Sequence, residues 1–180
     1  MASTSKSHRQ ILMTRSVLLT IVLTWLAVVS GLPHPSAAEN AADQLAIAGA
    51  NAAADSMVAS IREVLQTQQQ MWNAGDIERF MDHYWKSDKL TFSSGGKVTR
   101  SWQSTLDNYR KRYATRSLMG KLSFRNLEVT PLGETAALVL GEWQLQRDSG
   151  KLGGNFTLVF RFLNGRWVIV HDHTSSNSPA

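Results

Sequence analysis

Asp172 sits between two histidines in the segment His171-Asp172-His173-Thr174, and Glu142 lies on an earlier segment of the same alternating kind. A carboxyl group enclosed by apolar side chains has its charged form disfavoured, so its pKa rises and it can move protons near neutral pH. These two acids are therefore the candidates for acid–base work. The plainer reading of Asp172 is a solvated carboxylate at a pocket mouth, or one capping a nearby backbone N–H. For Glu142 it is a rim ion pair with Arg161 or Arg147. His171 and His173, two apart on an extended chain, share one side and could grip a metal ion. A third ligand is wanting nearby, His83 being the only further candidate, so neither a metal nor another cofactor is expected. The pair then reads as polar residues on an outer sheet face or at a dimer interface. The chain has no cysteine, which removes thiol catalysis, Cys-based zinc sites and disulfides. Trp72, Tyr84, Trp85, Tyr109 and Trp143 are large enough to line an apolar pocket, or simply to fill a core. Tyr84 and Tyr109 are the better pocket candidates, because a phenol can bury its ring and still use its hydroxyl.

The elements that would position these residues follow from periodicity. Val58, Ile61, Leu65 and Trp72 recur at helical spacing between Gln-rich positions, which predicts an amphipathic helix beginning near Ser56. Gly75 suits a helix C-terminus and Asp76 an N-cap, so a second helix should run from Ile77 to about Trp85. A short strand at 90–93, a Gly95-Gly96 turn, a return strand at 97–99 and a third helix from Ser101 to about Ala114 follow. From Leu122 the period becomes 2. Strands are expected at 122–130, 134–147, 151–163 and 166–173, and Asn164-Gly165 between the last two is a type I′ hairpin signal. Helices first and an antiparallel meander second make an α+β domain, three N-terminal helices on one face of a strongly curved antiparallel sheet. A curved sheet closed by helices forms a cone, and its open end is a common place for small-molecule sites. Phe156, Leu158, Phe160 and Phe162 form the natural inward row.

The N-terminus carries a separate message. Lys6, His8, Arg9 and Arg15 precede an uncharged apolar run from Ser16 to Ser30. Gly31, Pro33 and Pro35 then break any helix ahead of Ser36-Ala37-Ala38. This pattern reads as a secretory signal peptide at 1–38, cut after Ala38, with an uncleaved anchor as the alternative. The protein is expected to be exported, periplasmic or secreted, and free of the membrane once cut. Residues 39–55 read as an Ala-rich linker or frayed helical lead-in, 56–176 as the domain and 177–180 as a disordered tail. The full chain has 19 Lys and Arg against 14 Asp and Glu. Three of those cations lie in the leader, so the remainder is near neutral and no nucleic-acid partner is expected. Arg100, Arg110, Lys111, Arg112 and Arg116 read as the solvated face of a helix.

Two stretches resemble a known family. WNAGDIERFMDHYWKSDKLTFSSGG resembles the opening of NTF2-like domains, and GNFTLVFRFLNGRWVIVHDHTS is similar to the closing hairpin of SnoaL-like proteins of the DUF4440 group. The ending also resembles the association (hub) domain of calcium/calmodulin-dependent kinase II. The similarity spans about Ser56 to Ser176 and implies an NTF2-like cone. Carried across residue by residue, the hub's pocket arginines fall on Glu142, Leu158 and Thr174, so the hub's carboxylate-binding site is expected to be absent. That alignment also leaves Glu142, Asp172 and Thr174 facing inward. A register slip of one would put His171 and His173 there instead. The positions that carry the catalytic tyrosine and aspartate in proteins similar to ketosteroid isomerase read Gln68 and Ser93, so that apparatus is not expected. No clear match to the scytalone dehydratase residues is found. The fold alone does not fix the chemistry. The leading expectation is an exported homodimer binding a small, largely apolar molecule at Trp72, Tyr84, Tyr109, Trp143, Thr174, His171 and His173. The alternatives are an acid/base enzyme of cyclase, dehydratase or isomerase type using Asp172 and Glu142, and a non-catalytic oligomerisation hub.

Overall fold

The computed structural model describes residues 36–177, so the apolar leader run and the last three residues lie outside the described part. Helix α1 (Ala37–Ala74) is longer than the spacing predicts, because the Ala-rich residues 39–55 are good helix formers and continue it toward the N-terminus. Side chains up to Ala53 are exposed. Burial begins at Met57 and continues through Ile61, Leu65, Gln68 and Trp72, one seam on one helix face. Gly75, at φ 86°, lets the chain turn out of the helix. The Asp76 carboxylate then accepts from the Arg79 N–H at 2.9 Å and caps helix α2 (Ile77–Met81).

Helix α2 stops at Met81, short of the expected Trp85. The chain instead straightens and pairs with the last strand: Tyr84 forms a parallel bridge with Ile169, and the Trp85 N–H donates to the Ile169 carbonyl at 2.9 Å. Strands β1 (Thr91–Ser94) and β2 (Lys97–Arg100) form a hairpin around Gly95-Gly96. Helix α3 (Trp102–Arg112) starts at Ser101, whose hydroxyl accepts from the Ser104 N–H. A one-turn helix α4 (Arg116–Met119), absent from the periodicity reading because four residues carry no period, is capped by Thr115.

Strands β3 (Lys121–Pro131), β4 (Ala136–Arg147), β5 (Gly150–Leu163) and β6 (Arg166–Thr174) form the antiparallel meander. The sheet order is β2-β1-β6-β5-β4-β3, with β1 parallel to β6. Bulges interrupt the register at Arg125/Glu128 and beside Val159/Phe160, and such insertions increase local bend and twist. The helices pack against the concave face of this curled, unclosed sheet. Asn164 and Gly165, at φ 52° and 78°, make the expected tight hairpin.

The Gln-rich side of α1 has a structural task. Asn73 both accepts from the Leu122 N–H and donates to its carbonyl, and Gln69 accepts from the Phe124 N–H at 2.7 Å. These side chains satisfy part of the outward backbone of β3, an edge strand, and anchor it to the helix.

Candidate functional site

Cross-strand register sets which side chains reach the interior. Phe156 pairs with Thr174 and Leu158 with Asp172, while Phe92 on β1 pairs with Asp172 from the other side. On β4 the inward residues are Ala137, Val139, Gly141, Trp143 and Leu145, facing their partners on β5. These strands, α1 and α3 surround a cavity of about 870 Å3. It is lined chiefly by aromatic and aliphatic side chains.

Asp172 is the charged group inside it. The residue is 4% exposed. One carboxyl oxygen accepts from the Tyr84 hydroxyl at 2.8 Å and the other from the Thr174 hydroxyl at 2.6 Å. Burial pushes its pKa up to about 6, opposed by the Thr174 and Tyr84 hydrogen bonds, which favour the carboxylate. The Tyr84 and Tyr109 phenols are driven well above their ordinary value, first by desolvation and then by the charge of Asp172. Both stay protonated. The site is therefore a titratable acid held by hydroxyls, in apolar walls, with proton affinity near neutrality.

Tyr84 reaches Asp172 because of the early end of α2. The bridge to Ile169 fixes its backbone alongside β6, so its ring stacks near Phe80 at 5.9 Å and its hydroxyl meets the carboxyl. Tyr109 is carried in from α3 and meets Phe80 and Phe92 edge on or tilted, at 5.4 and 5.8 Å.

Of the residues singled out from sequence, Asp172, Tyr84, Tyr109, Trp72, Trp143 and Thr174 line the cavity. Trp143 points inward, its indole N–H donating to the Ser175 carbonyl at 2.9 Å. Glu142 does not face inward. Strand alternation fixes this: Gly141 and Trp143 face the interior, so Glu142 points out, exposed and accepting from the Asn126 side chain at 2.9 Å. Glu142 and Asp172 are thus on opposite faces of the sheet and cannot act as a pair. His171 is also on the outer face, where its Nδ1 and the Thr91 hydroxyl are 2.6 Å apart. Desolvation lowers its pKa. His173 is exposed and reaches only the rim of the cavity. Among the described residues no three His, Asp or Glu side chains converge as a metal site would require. Phe156, Leu158 and Phe160 are buried as expected, but Phe162 is 43% exposed and stacks on Trp167 at 5.4 Å, because the row runs past the end of the covered sheet.

Several lining residues were not anticipated. Gln68 is buried in the α1 seam, its amide donating to the Phe80 carbonyl at 3.4 Å, and it borders the cavity. A polar residue at a core-facing helical position, between Leu65 and Trp72, is the signal that could have found it. Phe92 and Ser94 also line the cavity, while Ser93 between them falls on the other face. Tyr113, just past the end of α3, meets Trp72 edge on at 4.7 Å.

Comparison with known proteins agrees with this geometry. Residues 61–179 match the family described as the SnoaL-like domain. No curated protein is significantly similar to the chain. An NTF-2-like protein of unknown function from Shewanella oneidensis is 36% identical, with a TM-score of 0.64, the match covering 66% of this chain and 98% of that one. A ketosteroid isomerase-like protein from Erwinia carotovora atroseptica is 16% identical with a TM-score of 0.56, covering 67% and 96% of the two chains. A calcium/calmodulin-dependent protein kinase II association domain from Xanthomonas campestris is 18% identical with a TM-score of 0.52, covering 67% and 87%. The last two likenesses concern the fold alone.

Proposed function

The chain belongs to the SnoaL-like domain family, and we propose that this member, exported and freed of residues 1–38, binds a small, largely apolar molecule in the cone. One observation carries the reading. A buried carboxyl with a pKa of about 6, held by two hydroxyls, borders a cavity of about 870 Å3. A hollow apolar space with one convergent polar group is what a small-molecule site needs, whereas a purely architectural cone gains stability from being filled. Phe156 and Phe160 are buried without closing the space, and this weighs against the hub reading.

Asp172 would meet a polar atom of the ligand while Trp72, Phe80, Tyr109 and Phe156 cover its apolar body. The same raised pKa favours a second reading, in which Asp172 is a general base or acid toward the bound molecule, since a catalytic group works best with a pKa near the working pH. Glu142 has no part in either reading.

N-phenylnaphthylamine, an uncharged aromatic that fluoresces when shielded from water, tests the binding site. It should bind the protein saturably at one molecule per chain. Ser94→Trp, which puts a bulky side chain at the lining of the cavity, should weaken that binding at least about tenfold while leaving the melting transition cooperative. Absent or unsaturable binding, or binding indifferent to Ser94→Trp, would refute the cavity as a ligand site.

A further inference from the structure

We propose that the molecule taken up is an amphipathic organic anion, its apolar body inside the cone and its carboxylate or sulfonate group at the mouth, held by Lys97, Lys111 and Arg112. This rests on the cavity being a binding site. Besides Asp172 in its interior, the formally charged side chains that border the cavity are these three cations. Lys97 comes from β2, and Lys111 and Arg112 from the last turn of α3. Among the described residues, the ion pairs within 4 Å join other partners, namely Arg79 with Asp76, Lys86 with Asp82, and Arg110 with Glu78 and Asp107. None of the three cations at the mouth has an ion-pair partner within 4 Å among the described residues.

Cations in the last turn of a helix have an ordinary explanation, since they complement the helix dipole. It covers Lys111 and Arg112. It does not cover Lys97, which lies on a strand, directly after the Gly95-Gly96 turn and on the same cavity. Arg112 also stands over the Tyr113 ring at 5.9 Å, so its guanidinium is placed at the point where the aromatic wall begins. Like charges gathered around an opening with low-dielectric walls focus their field into it and raise the local concentration of anions.

Asp172 sets the ligand's direction. An anionic group beside a buried carboxylate would be repelled in a medium of low dielectric. The charged end is thus kept outward, and the inner end must be apolar or carry a neutral hydrogen-bonding group. The proposal excludes organic cations and dianions charged at both ends.

The test compares N-phenylnaphthylamine with anilinonaphthalene sulfonate, which adds one sulfonate to the same ring system. The sulfonate should bind about tenfold more tightly at low ionic strength. The preference should shrink as salt is added, because exposed charges are screened. In the triple variant Lys97→Gln/Lys111→Gln/Arg112→Gln the sulfonate should lose about that factor, with the uncharged parent changed by less than about twofold. Arg110→Gln, in the same helical turn but paired with Glu78, should leave the preference intact. Equal affinities in the unmodified protein, or a preference that survives the triple variant, would overturn the proposal and leave the cavity reading standing. Failure of the uncharged parent to bind would remove both.

Discussion

Asp172 makes an unusual contribution to stability. For most acids the fold lowers the pKa and ionisation stabilises it. Here the folded pKa is raised from 3.8 to about 6, so the folded protein holds the proton more tightly than the unfolded chain does. The favourable term is fully present below pH 4 and is lost as pH rises through about 6. A shift of this size corresponds to about 3 kcal/mol by pH 8. Asp172→Asn fixes the group in a neutral form, and the Tyr84 and Thr174 hydroxyls can turn to meet an amide as they would a protonated acid. The variant should therefore match the unmodified protein near pH 4 and exceed it by up to about 3 kcal/mol at pH 8, as read from urea unfolding at both values. An unchanged difference between the two pH values would mean that Asp172 titrates normally. Sequence brought Asp172 into view by parity with Thr174, but not Tyr84 as its partner, since that contact joins residues far apart in the chain.

At the scale of elements, the end of β6 is held by a feature that the sequence does not advertise. The chain beyond Thr174 lies across β5, where the Ser175 N–H donates to the Asn155 carbonyl at 2.9 Å and the Asn177 N–H to that of Gly153 at 2.7 Å. Gly154 allows this close approach, because a Cβ there would overlap the Ser175 carbonyl. That same carbonyl accepts from Trp143, so one glycine keeps the C-terminal segment and a cavity-lining indole in place together. Gly154→Ala should destabilise by about 1–3 kcal/mol and shift the Trp143 indole N–H resonance in NMR spectra. An alanine variant of full stability with an unmoved indole signal would mean that the segment is not anchored there. Helix α2 gives the complementary lesson: its apolar spacing continues to Trp85, yet pairing of Tyr84 with Ile169 ends it early. A sheet partner supplied from the far end of the chain overrode local helical pattern.

For the molecule as a whole, the outer face of the sheet bears on assembly. Leu138 pairs with Val159, Leu140 with Thr157, and Val159 with His171, which makes a contiguous, half-apolar surface on the side away from the helices. Leu140 is 43% exposed there. Two-fold pairing through such a face is a common way to cover it, and the expectation of a homodimer rests on this patch. Light scattering at micromolar concentration should give twice the chain mass, and Val159→Lys should halve it. A monomeric unmodified protein would count against the dimer.

What the sequence determined by itself were the features set by near neighbours. The period change at Leu122, the Gly75-Asp76 boundary and the Asn164-Gly165 hairpin each depend on a few adjacent residues, and together they fix the α+β cone. The inward facing of Glu142, Asp172 and Thr174 was carried over from one resemblance. Asp172 and Thr174 line the cavity, whereas the alternation of β4 around Gly141 and Trp143 sends Glu142 outward. Only the tertiary structure could decide the site itself. A pKa depends on burial and on which hydroxyls converge, and Tyr84, Thr174 and Asp172 meet through a bridge between segments distant in the chain. Whether the cone is hollow is likewise a sum over every side chain that points into it, and no local pattern contains that sum.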